Sequence, residues 1–350
     1  MSLRIPAIAA SACLLAWPAL ANDSSAELAA GGIVLTRNAD VRLASEDLYI
    51  SPKLVTVDYV FHNEGDKDVT TLVAFPMPEI ESNPYGNISI PDWNSDNFLG
   101  FSVMIDGKPV KPNLQQRAIA AGIDVSADLA AAKVSLFNHG DGVDATLEAL
   151  PQETADDWVK RGIIMIDTWD DGSGMKDHRV PFWTLQSTYW WEATFPAGKD
   201  VKVAHRYTPS LGQTAGLNFY YDGTRSEYYF EYREKYCIDD AFLKALDKAG
   251  KDPEKPLFEG RLSYVLTSGG NWKNGQIGKF HLTVDKGHEE DFVSFCGTGV
   301  KKISPTRFEA FAEDFWPEKD INVLLVQRFV EDTEPQMRKA PGRPPTGNAE

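Results

Sequence analysis

The sequence predicts a mainly β fold: sandwich-like antiparallel sheets, a helical insertion, and a second, smaller β-rich C-terminal part. Three observations predict it. Apolar and polar side chains alternate over many short segments, which is the period-two pattern of half-buried strands. Polar or glycine-rich turns separate these segments. A run rich in alanine, leucine and glutamine interrupts them at residues 113–162. Strands at this spacing favour sandwich layers over a parallel, doubly wound sheet.

The first predicted strands lie before residue 110. Short apolar runs at 33–35 and 43–50 precede an alternating segment at 55–61, and a Glu-Gly-Asp-Lys turn leads to a return strand at 69–75. The alternating residues of one face are Val55, Val57, Tyr59 and Phe61. This pattern predicts a period-two hairpin with a polar loop, and a further strand is expected at 101–105.

Residues 113–162 form the predicted helical insertion, which we expect to pack on the sheet. Helices are expected at 114–121, 127–137 and 144–161. Ser126 has a side chain suited to an N-cap, and Pro151 is suited to the first turn of a restarted helix that ends at Gly162. A helical arm that binds a partner is the alternative for this segment.

Strands resume at 163–166, and alternating aromatic residues predict a hairpin of 189–195 with 201–207 and another strand at 228–232. A helix is predicted from Asp239 or Asp240 to Gly250. The loop at 251–256 holds two prolines and marks a predicted boundary between a domain at 22–250 and a subdomain at 251–330.

The last third repeats the hairpin pattern, with strands at 262–266, 277–284 and 323–326. The segment 304–316 suits either a helix or a strand, because a Ser-Pro start precedes phenylalanines that would also suit a sheet. Residues 331–350 are rich in proline and poor in apolar groups, so we expect a mobile tail.

Residues 1–21 have the pattern of a secretory signal peptide. Arg4 gives a positive start, an apolar run reaches Leu20, and Ala19-Leu20-Ala21 fits a small-x-small cleavage site. The mature chain would begin at Asn22 and be periplasmic or secreted. A membrane anchor is the alternative, but the run is short and interrupted by prolines, and no later stretch is long enough to span a bilayer.

The charge of the chain argues against nucleic acid as a partner. The 350 residues hold 35 basic and 51 acidic side chains, a formal net charge of −16. A protein this acidic lacks the basic surface that holds phosphate backbones.

Three cysteines occur, and Cys13 would leave with the signal peptide. Cys237 and Cys296 then form an even pair in an oxidising compartment, which predicts one structural disulfide. The alternative is a reactive thiol at Cys296, which would need a nearby base or a lowered pKa.

Several segments resemble a family of secreted proteobacterial proteins known only as a domain of unknown function. They are residues 23–26, 32–35, 45–52, 71–76, 270–272 and 295–297. The resemblance covers nearly the whole mature chain and implies an envelope location without a known activity. Residues 53–110, including Phe-Pro-Met-Pro at 75–78, are also similar to the vault/inter-alpha-trypsin domain, which implies a β-sandwich associated with interactions.

Metal ligands follow no zinc pattern, since the histidines form no closely spaced pairs. His205 shares its face with apolar residues and is expected to be a hydrogen-bonded core histidine. Asp167, Asp170 and Asp171 hold part of a calcium-loop pattern, although Trp169 stands at a ligand position. These three residues are the candidate calcium ligands. No other cofactor is predicted.

Aromatic residues are the remaining candidates. Trp183 and Trp190 lie in an aromatic-rich stretch, and Trp190 points opposite Trp191 on a strand. Exposed aromatic rings can stack on sugars or anchor a protein, whereas the alternative is ordinary core packing.

No nucleophile elbow or nucleotide-binding loop occurs, and no catalytic residue is predicted. The sequence therefore leaves enzymatic activity uncertain and favours a non-catalytic binding or structural module that acts on an envelope protein or a glycan. The alternatives are a hydrolase with paired carboxylates, a thiol enzyme that uses Cys296, and a calcium-stabilised structural module.

Overall fold

A computed structural model describes residues 22–29, 32–82, 87–93, 95–170, 172–252 and 255–328. The predicted signal segment at 1–21 and the predicted tail at 331–350 lie outside the described residues, as does Asp171.

Twenty-three strands and five α-helices make up the described fold. Those of the first half are, in chain order, β1 Ser24–Ala29, β2 Gly32–Thr36, β3 Val41–Ile50, β4 Val55–Asn63, β5 Val69–Pro76, β6 Asn87–Ser89, β7 Ser102–Ile105, β8 Lys108–Val110, β9 Asn113–Ala120, β10 Ile123–Asp124, α1 Ser126–Ala131, α2 Asp141–Glu148, α3 Gln152–Lys160, β11 Ile164–Asp170 and β12 Met175–Pro181. Those of the second half are β13 Thr184–Phe195, β14 Asp200–Tyr207, β15 Leu211–Thr214, β16 Tyr220–Tyr221, β17 Thr224–Arg225, α4 Tyr229–Tyr236, α5 Asp240–Ala249, β18 Leu257–Tyr264, β19 Ile277–Asp285, β20 Phe292–Phe295, β21 Lys301–Lys302, β22 Arg307–Phe315 and β23 Ile321–Arg328. Two short 3₁₀ helices, Thr267–Asn271 and Lys273–Gly275, separate β18 from β19.

Three sheets form the body of the fold. The first has the order β10-β9-β13-β5-β1-β2, the second β21-β22-β19-β3-β4-β14-β7-β8, and the third β20-β23-β18-β15-β6. In the described residues every strand pair is antiparallel except β3 with β19. The mainly β, antiparallel prediction is confirmed. The second and third sheets each combine strands from before and after the predicted boundary at 251–256.

The alternating strands were predicted correctly, but their pairing was not. β4 buries Val55, Val57, Tyr59 and Phe61, yet it pairs with β3 and β14, whereas β5 pairs with β1 and β13 in the first sheet. The predicted hairpin is therefore an arch that carries the chain from one sheet to another.

The same arrangement recurs where β13 leads to β14 and where β18 leads to β19. The side chain of Asn63 joins two of the arches, because its Nδ2 donates to the carbonyl oxygens of Lys67 and Phe195 at 2.8 and 2.7 Å. Inward-facing side chains of all three sheets share one core, as expected for sandwich layers.

The helical insertion is shorter than predicted. Residues 113–120 form β9, which pairs with β13, so the helix expected at 114–121 is wrong. Ser126 does not cap α1 through its side chain. Its Oγ instead accepts a hydrogen bond from the Ala118 amide at 2.9 Å, which ties the helix to β9. The helix after Pro151 is confirmed, and Gly162 beyond its end has a φ of 68°.

The structure corrects the prediction for residues 228–232 and decides between the two alternatives for residues 304–316. The strand expected at 228–232 is wrong, because Tyr229, Tyr232 and Tyr236 lie on the buried face of α4 at helical spacing. Within the segment 304–316, residues Arg307–Phe315 form the strand β22. The helix α5 is confirmed, with Asp239 accepting a hydrogen bond from the Phe242 amide at 2.7 Å.

None of the helices in the described parts of the chain is long and apolar enough to cross a membrane.

Candidate ligand cleft above a buried polar cluster

The start of the described chain is buried, although its residues are polar. Asn22, Asp23 and Ser24 are completely inaccessible to solvent. The backbone nitrogen of Asn22 donates to Ser268 Oγ at 2.6 Å, and the same hydroxyl donates to the Asn22 carbonyl oxygen at 2.6 Å. This pairing satisfies the buried backbone groups of Asn22, as burial requires.

Two carboxyl groups share this buried site, which we call the polar cluster and define as Asn22, Asp23, Glu46, Tyr59, His205, Tyr264 and Ser268. Glu46 Oε2 accepts from Asn22 Nδ2 at 3.0 Å, and Glu46 Oε1 accepts from the Tyr264 hydroxyl at 3.3 Å. Burial raises the pKa of Glu46 to about 8, because the charged form loses its hydration.

The second carboxyl group belongs to Asp23 and pairs with His205, with Oδ1 and Nε2 2.8 Å apart. Burial also raises the pKa of Asp23, while the imidazole opposes the shift. The other carboxylate oxygen, Oδ2, has no hydrogen-bond partner among the described residues, and neither has His205 Nδ1. The expectation that His205 is a hydrogen-bonded core histidine is confirmed.

Aromatic rings enclose the polar cluster. The Tyr59 and Tyr264 hydroxyls lie 2.9 Å apart, and Tyr59 also donates to Asn22 Oδ1. Trp272 packs on Phe61 with ring centres 4.6 Å apart, and its Nε1 donates to the Asp23 carbonyl oxygen at 2.7 Å. Because these rings exclude water, the polar groups inside depend on one another.

A cleft of about 620 Å³ lies directly above this cluster. Its floor is the 3₁₀ segment at 267–275, and its walls are the loop at 37–39 and residues 316–318. The floor belongs to both sites, since Ser268 and Trp272 bind the buried chain start while Gly270 and Asn271 line the cleft.

Hydrogen bonds fix the walls of the cleft. The Asn38 amide donates to the Asn271 carbonyl oxygen at 2.8 Å, and Asn271 Nδ2 donates to Ser24 Oγ at 2.9 Å. On the other side, Asp320 Oδ1 accepts from the amides of Leu266 and Thr267. The cleft is therefore preorganised by three segments that are far apart in the chain.

Trp316 is the large aromatic side chain that the cleft presents to solvent. It is 55% exposed, and Gly275, with a φ of 68°, lies so close that a Cβ there would stand 3.3 Å from the indole ring. The cleft is also lined by four residues with polar or charged side chains, Arg37, Asn38, Asn274 and Glu318. An exposed aromatic face among amide and charged groups can stack on a ring while the polar groups bind its substituents.

The predicted cysteine pair is present as a disulfide. Cys237 follows α4 and Cys296 follows β20, with their Cα atoms 5.1 Å apart. Because both sulfurs are bonded, the structure holds no thiolate at Cys296 for the thiol-enzyme alternative.

The two tryptophans predicted to stack on a ligand occupy different environments. Trp183 is completely buried among the helices of the insertion and donates to the Leu136 carbonyl oxygen at 2.8 Å, so it cannot meet a ligand from solvent. Trp190 is half-buried on the face of β13 that points away from the shared core. Its role as a stacking residue stays a prediction.

Asp167 and Asp170, the two calcium candidates among the described residues, lie in β11 before the turn to β12. Asp170 Oδ1 accepts hydrogen bonds from the Gly172 and Gly174 amides at 2.9 and 3.0 Å, and Asp167 accepts one from the Thr168 amide. Within the described residues no cluster of three or more acidic, histidine or cysteine side chains is arranged to hold a metal. Calcium binding there stays a prediction.

Sequence reasoning missed both parts of this site. Trp316 is the last residue of the segment 304–316, whose pattern suits either a helix or a strand, and the adjacent Pro317 is the local signal of a chain that leaves a strand. The polar stretch at 22–25 carries no signal of burial, since Asn, Asp and Ser are mostly exposed residues.

Comparisons with known proteins give a family but no activity. A family model described as "Domain of unknown function (DUF4424)" matches residues 21–324. None of the curated proteins matches the sequence. A crystal structure of a proposed nutrient binding protein from Legionella pneumophila is 15% identical, with 83% of this chain and 68% of that chain covered and a TM-score of 0.39. A two-domain M1 zinc metallopeptidase bound to L-tryptophan is 8% identical, with 83% and 44% covered and a TM-score of 0.21. Likenesses this distant do not bear on function.

Proposed function

The chain belongs to the DUF4424 family, whose function is unknown, and from this premise we propose that it is an exported, non-catalytic module that binds a glycan of the cell envelope. The ligand would occupy the cleft formed by residues 37–39, 267–275 and 316–318.

The exposed indole of Trp316 carries this proposal. Sugar rings have apolar faces that stack on aromatic side chains, and their hydroxyl groups exchange hydrogen bonds with amide and charged groups. Asn38, Asn274 and Arg37 line the same cleft as this indole. Hydrogen bonds of the backbone and of the Asn271 and Asp320 side chains hold the walls of the cleft, so little conformational entropy would be lost on binding.

The charges of the cleft support binding without hydrolysis. Of the described residues that line it, Glu318 alone carries a carboxylate. A glycosidase of the usual kind needs two carboxyl groups on opposite sides of the scissile bond. The two carboxyl groups of the polar cluster are enclosed by aromatic rings and cannot reach a polysaccharide.

Export is supported by the pattern of residues 1–21 and by the disulfide. A disulfide persists in oxidising compartments, which include the periplasm and the extracellular space. Its presence between Cys237 and Cys296 fits the predicted periplasmic or secreted location.

The test is a titration of the protein with soluble peptidoglycan disaccharides and with a set of neutral oligosaccharides. Binding is measured by tryptophan fluorescence and by calorimetry. We expect at least one of these sugars to bind. Trp316→Ala should weaken it by about tenfold, the loss of one aromatic stacking contact of about 1.4 kcal/mol.

Trp169→Ala is the matched control, because Trp169 is also exposed but stacks on His178 in the separate sheet of β11 and β12. This variant should bind as the parent does. Equal binding by Trp316→Ala and the parent would contradict the proposal, as would the absence of binding by any sugar. Loss of binding in Trp190→Ala would instead place the ligand on the outer face of the first sheet.

A further inference from the structure

The polar cluster is short of positive charge and of hydrogen-bond donors. It encloses two carboxyl groups, those of Asp23 and Glu46, against one imidazole, that of His205. Asp23 Oδ2 accepts no hydrogen bond from any described residue although it is fully buried. Buried carboxylates are ordinarily paired with cations, so a further cation would stabilise this arrangement.

The backbone nitrogen of Asn22 lies in the same buried enclosure as the two carboxyl groups. It is fully buried and bonded to Ser268 Oγ. The side-chain amide of the same residue touches Glu46 at 3.0 Å, and the next residue along the chain is Asp23 itself. As a peptide nitrogen it donates one hydrogen, whereas as a free α-amine it would donate three and carry a positive charge.

We propose that hydrolysis of the Ala21–Asn22 peptide bond creates an α-ammonium group that stays buried in the polar cluster and serves as the cation for its carboxylates. The inference rests on the export proposed above and not on the sugar cleft. An envelope peptidase would consume one water molecule, leave a carboxylate on Ala21 and leave an ammonium group on Asn22, so that atoms and charge balance.

Close packing around Asn22 supports this role. Gly269 lies so near that a Cβ there would stand 2.6 Å from Asn22 Nδ2, and Trp272 holds the Asp23 carbonyl oxygen. A chain that begins at Asn22 carries the α-ammonium group in this enclosure, whereas a chain that keeps its leader lacks that positive charge.

With the ammonium group present, the carboxyl groups of the cluster gain a cation. Asp23 and Glu46 would then face this ammonium group as well as the imidazole of His205. The mature chain start would then be part of the core, and removal of the leader would complete the fold. Folding and processing are coupled in this scheme by a single buried charge.

The first test measures the start of the protein purified from the envelope and the reactivity of its α-amine. Intact mass should place the first residue at Asn22. An amine-acylating reagent at neutral pH should then label the α-amine of the folded protein at least about 100-fold more slowly than that of the protein in urea, because access needs opening of the core.

Labelling of the folded α-amine at the unfolded rate would overturn the inference, and so would a mature start at any other residue. Sugar binding is independent of both results, since a protein that begins at Asn22 with a protected amine could fail every titration of the cleft.

The second test asks whether charge, and not only space, is involved. Proteins that begin at Asn22 or carry one extra glycine before it would be compared as the parent and as Glu46→Gln. The glycine should lower the melting temperature of the parent by several degrees and that of Glu46→Gln by clearly less, because the ammonium group has lost a partner there.

Glu64→Gln is the matched control. Glu64 is a carboxylate that pairs with Arg42 and Lys273 at the surface, at 2.8 and 3.0 Å. The extra glycine should lower the melting temperature of this variant as much as it lowers that of the parent. Equal costs in all three proteins would show that the charge of the chain start plays no part, and the inference would fail.

Discussion

Loss of the Cys237–Cys296 bond should destabilise the protein strongly, because the bond closes a long loop. The two cysteines are 59 residues apart, and the loop includes α5, β18, β19 and the floor of the cleft. In the chain-entropy model, a cross-link that closes a loop of this length stabilises the folded state by about 4 kcal/mol. Most of this stabilisation comes from restriction of the unfolded chain.

The perturbation is the double variant Cys237→Ser with Cys296→Ser, and separately the reduction of the parent. Both cysteines are exposed, so a reductant can reach the bond without unfolding the protein. Urea unfolding followed by circular dichroism should give a free energy of unfolding about 4 kcal/mol lower in both cases.

Ser294→Ala provides the control at the same junction. Ser294 Oγ donates to the Tyr236 carbonyl oxygen at 2.9 Å, so this variant removes a noncovalent link between β20 and α4 and keeps the disulfide. Its cost should be about 1 kcal/mol, as for one hydrogen bond. The loop-closure reasoning is refuted if the double variant costs no more than Ser294→Ala.

Two further predictions concern the polar cluster. In a protein with one extra residue before Asn22, the raised pKa of Glu46 should make the free energy of unfolding fall with pH between about 4.5 and 8, by up to about 1.4 kcal/mol per unit, because only the folded state keeps the proton. The raised pKa of Asp23 contributes to this pH dependence with the same sign. Urea titrations at several pH values should therefore show a smaller slope of the free energy of unfolding against pH in Glu46→Gln than in the same protein with Glu46. Equal slopes in the two proteins would contradict the assignment to Glu46. Gly269→Ala should lower the free energy of unfolding by about 2 kcal/mol in thermal unfolding, because its Cβ would overlap Asn22 Nδ2. Gly216→Ala is the control, since its Cβ would meet open space, and its free energy of unfolding should stay within about 0.5 kcal/mol of the parent. Similar losses in both variants would argue against the tight enclosure of Asn22.

The strands of this fold follow from the sequence better than their partners do. Alternation located β4 and β13 because each buries one face, and this periodicity depends only on the strand itself. Whether a short turn joins a hairpin or an arch depends on contacts made elsewhere. Here Asn63 fixes the first arch through the carbonyl oxygen of Phe195, a residue 132 positions away.

The failures at β9 and α4 have a related cause. The segment 113–120 contains residue types that favour helices, but its hydrogen bonds to β13 override that propensity. The tyrosines of α4 suit strands, yet their buried positions at 229, 232 and 236 follow a helical face. In both segments tertiary contacts decided between two local structures.

The candidate site was beyond sequence reasoning because it is assembled from distant segments. The cleft combines residues 37–39, 267–275 and 316–318, and no single stretch contains enough of it to form a motif. The disulfide could be predicted because it needed only an even count of cysteines and an oxidising compartment.

The parallel pairing of β3 with β19 has a consequence for the order of folding. β3 ends at residue 50 and β19 begins at residue 277, and together they lie in the middle of the largest sheet. Contacts between such distant segments form slowly, because a long loop must close first. A chain that emerges from its N-terminus cannot complete this sheet until its last quarter has appeared. We therefore expect a long-lived, partly folded state during synthesis, in which β3 remains unpaired on one edge until β19 has been made.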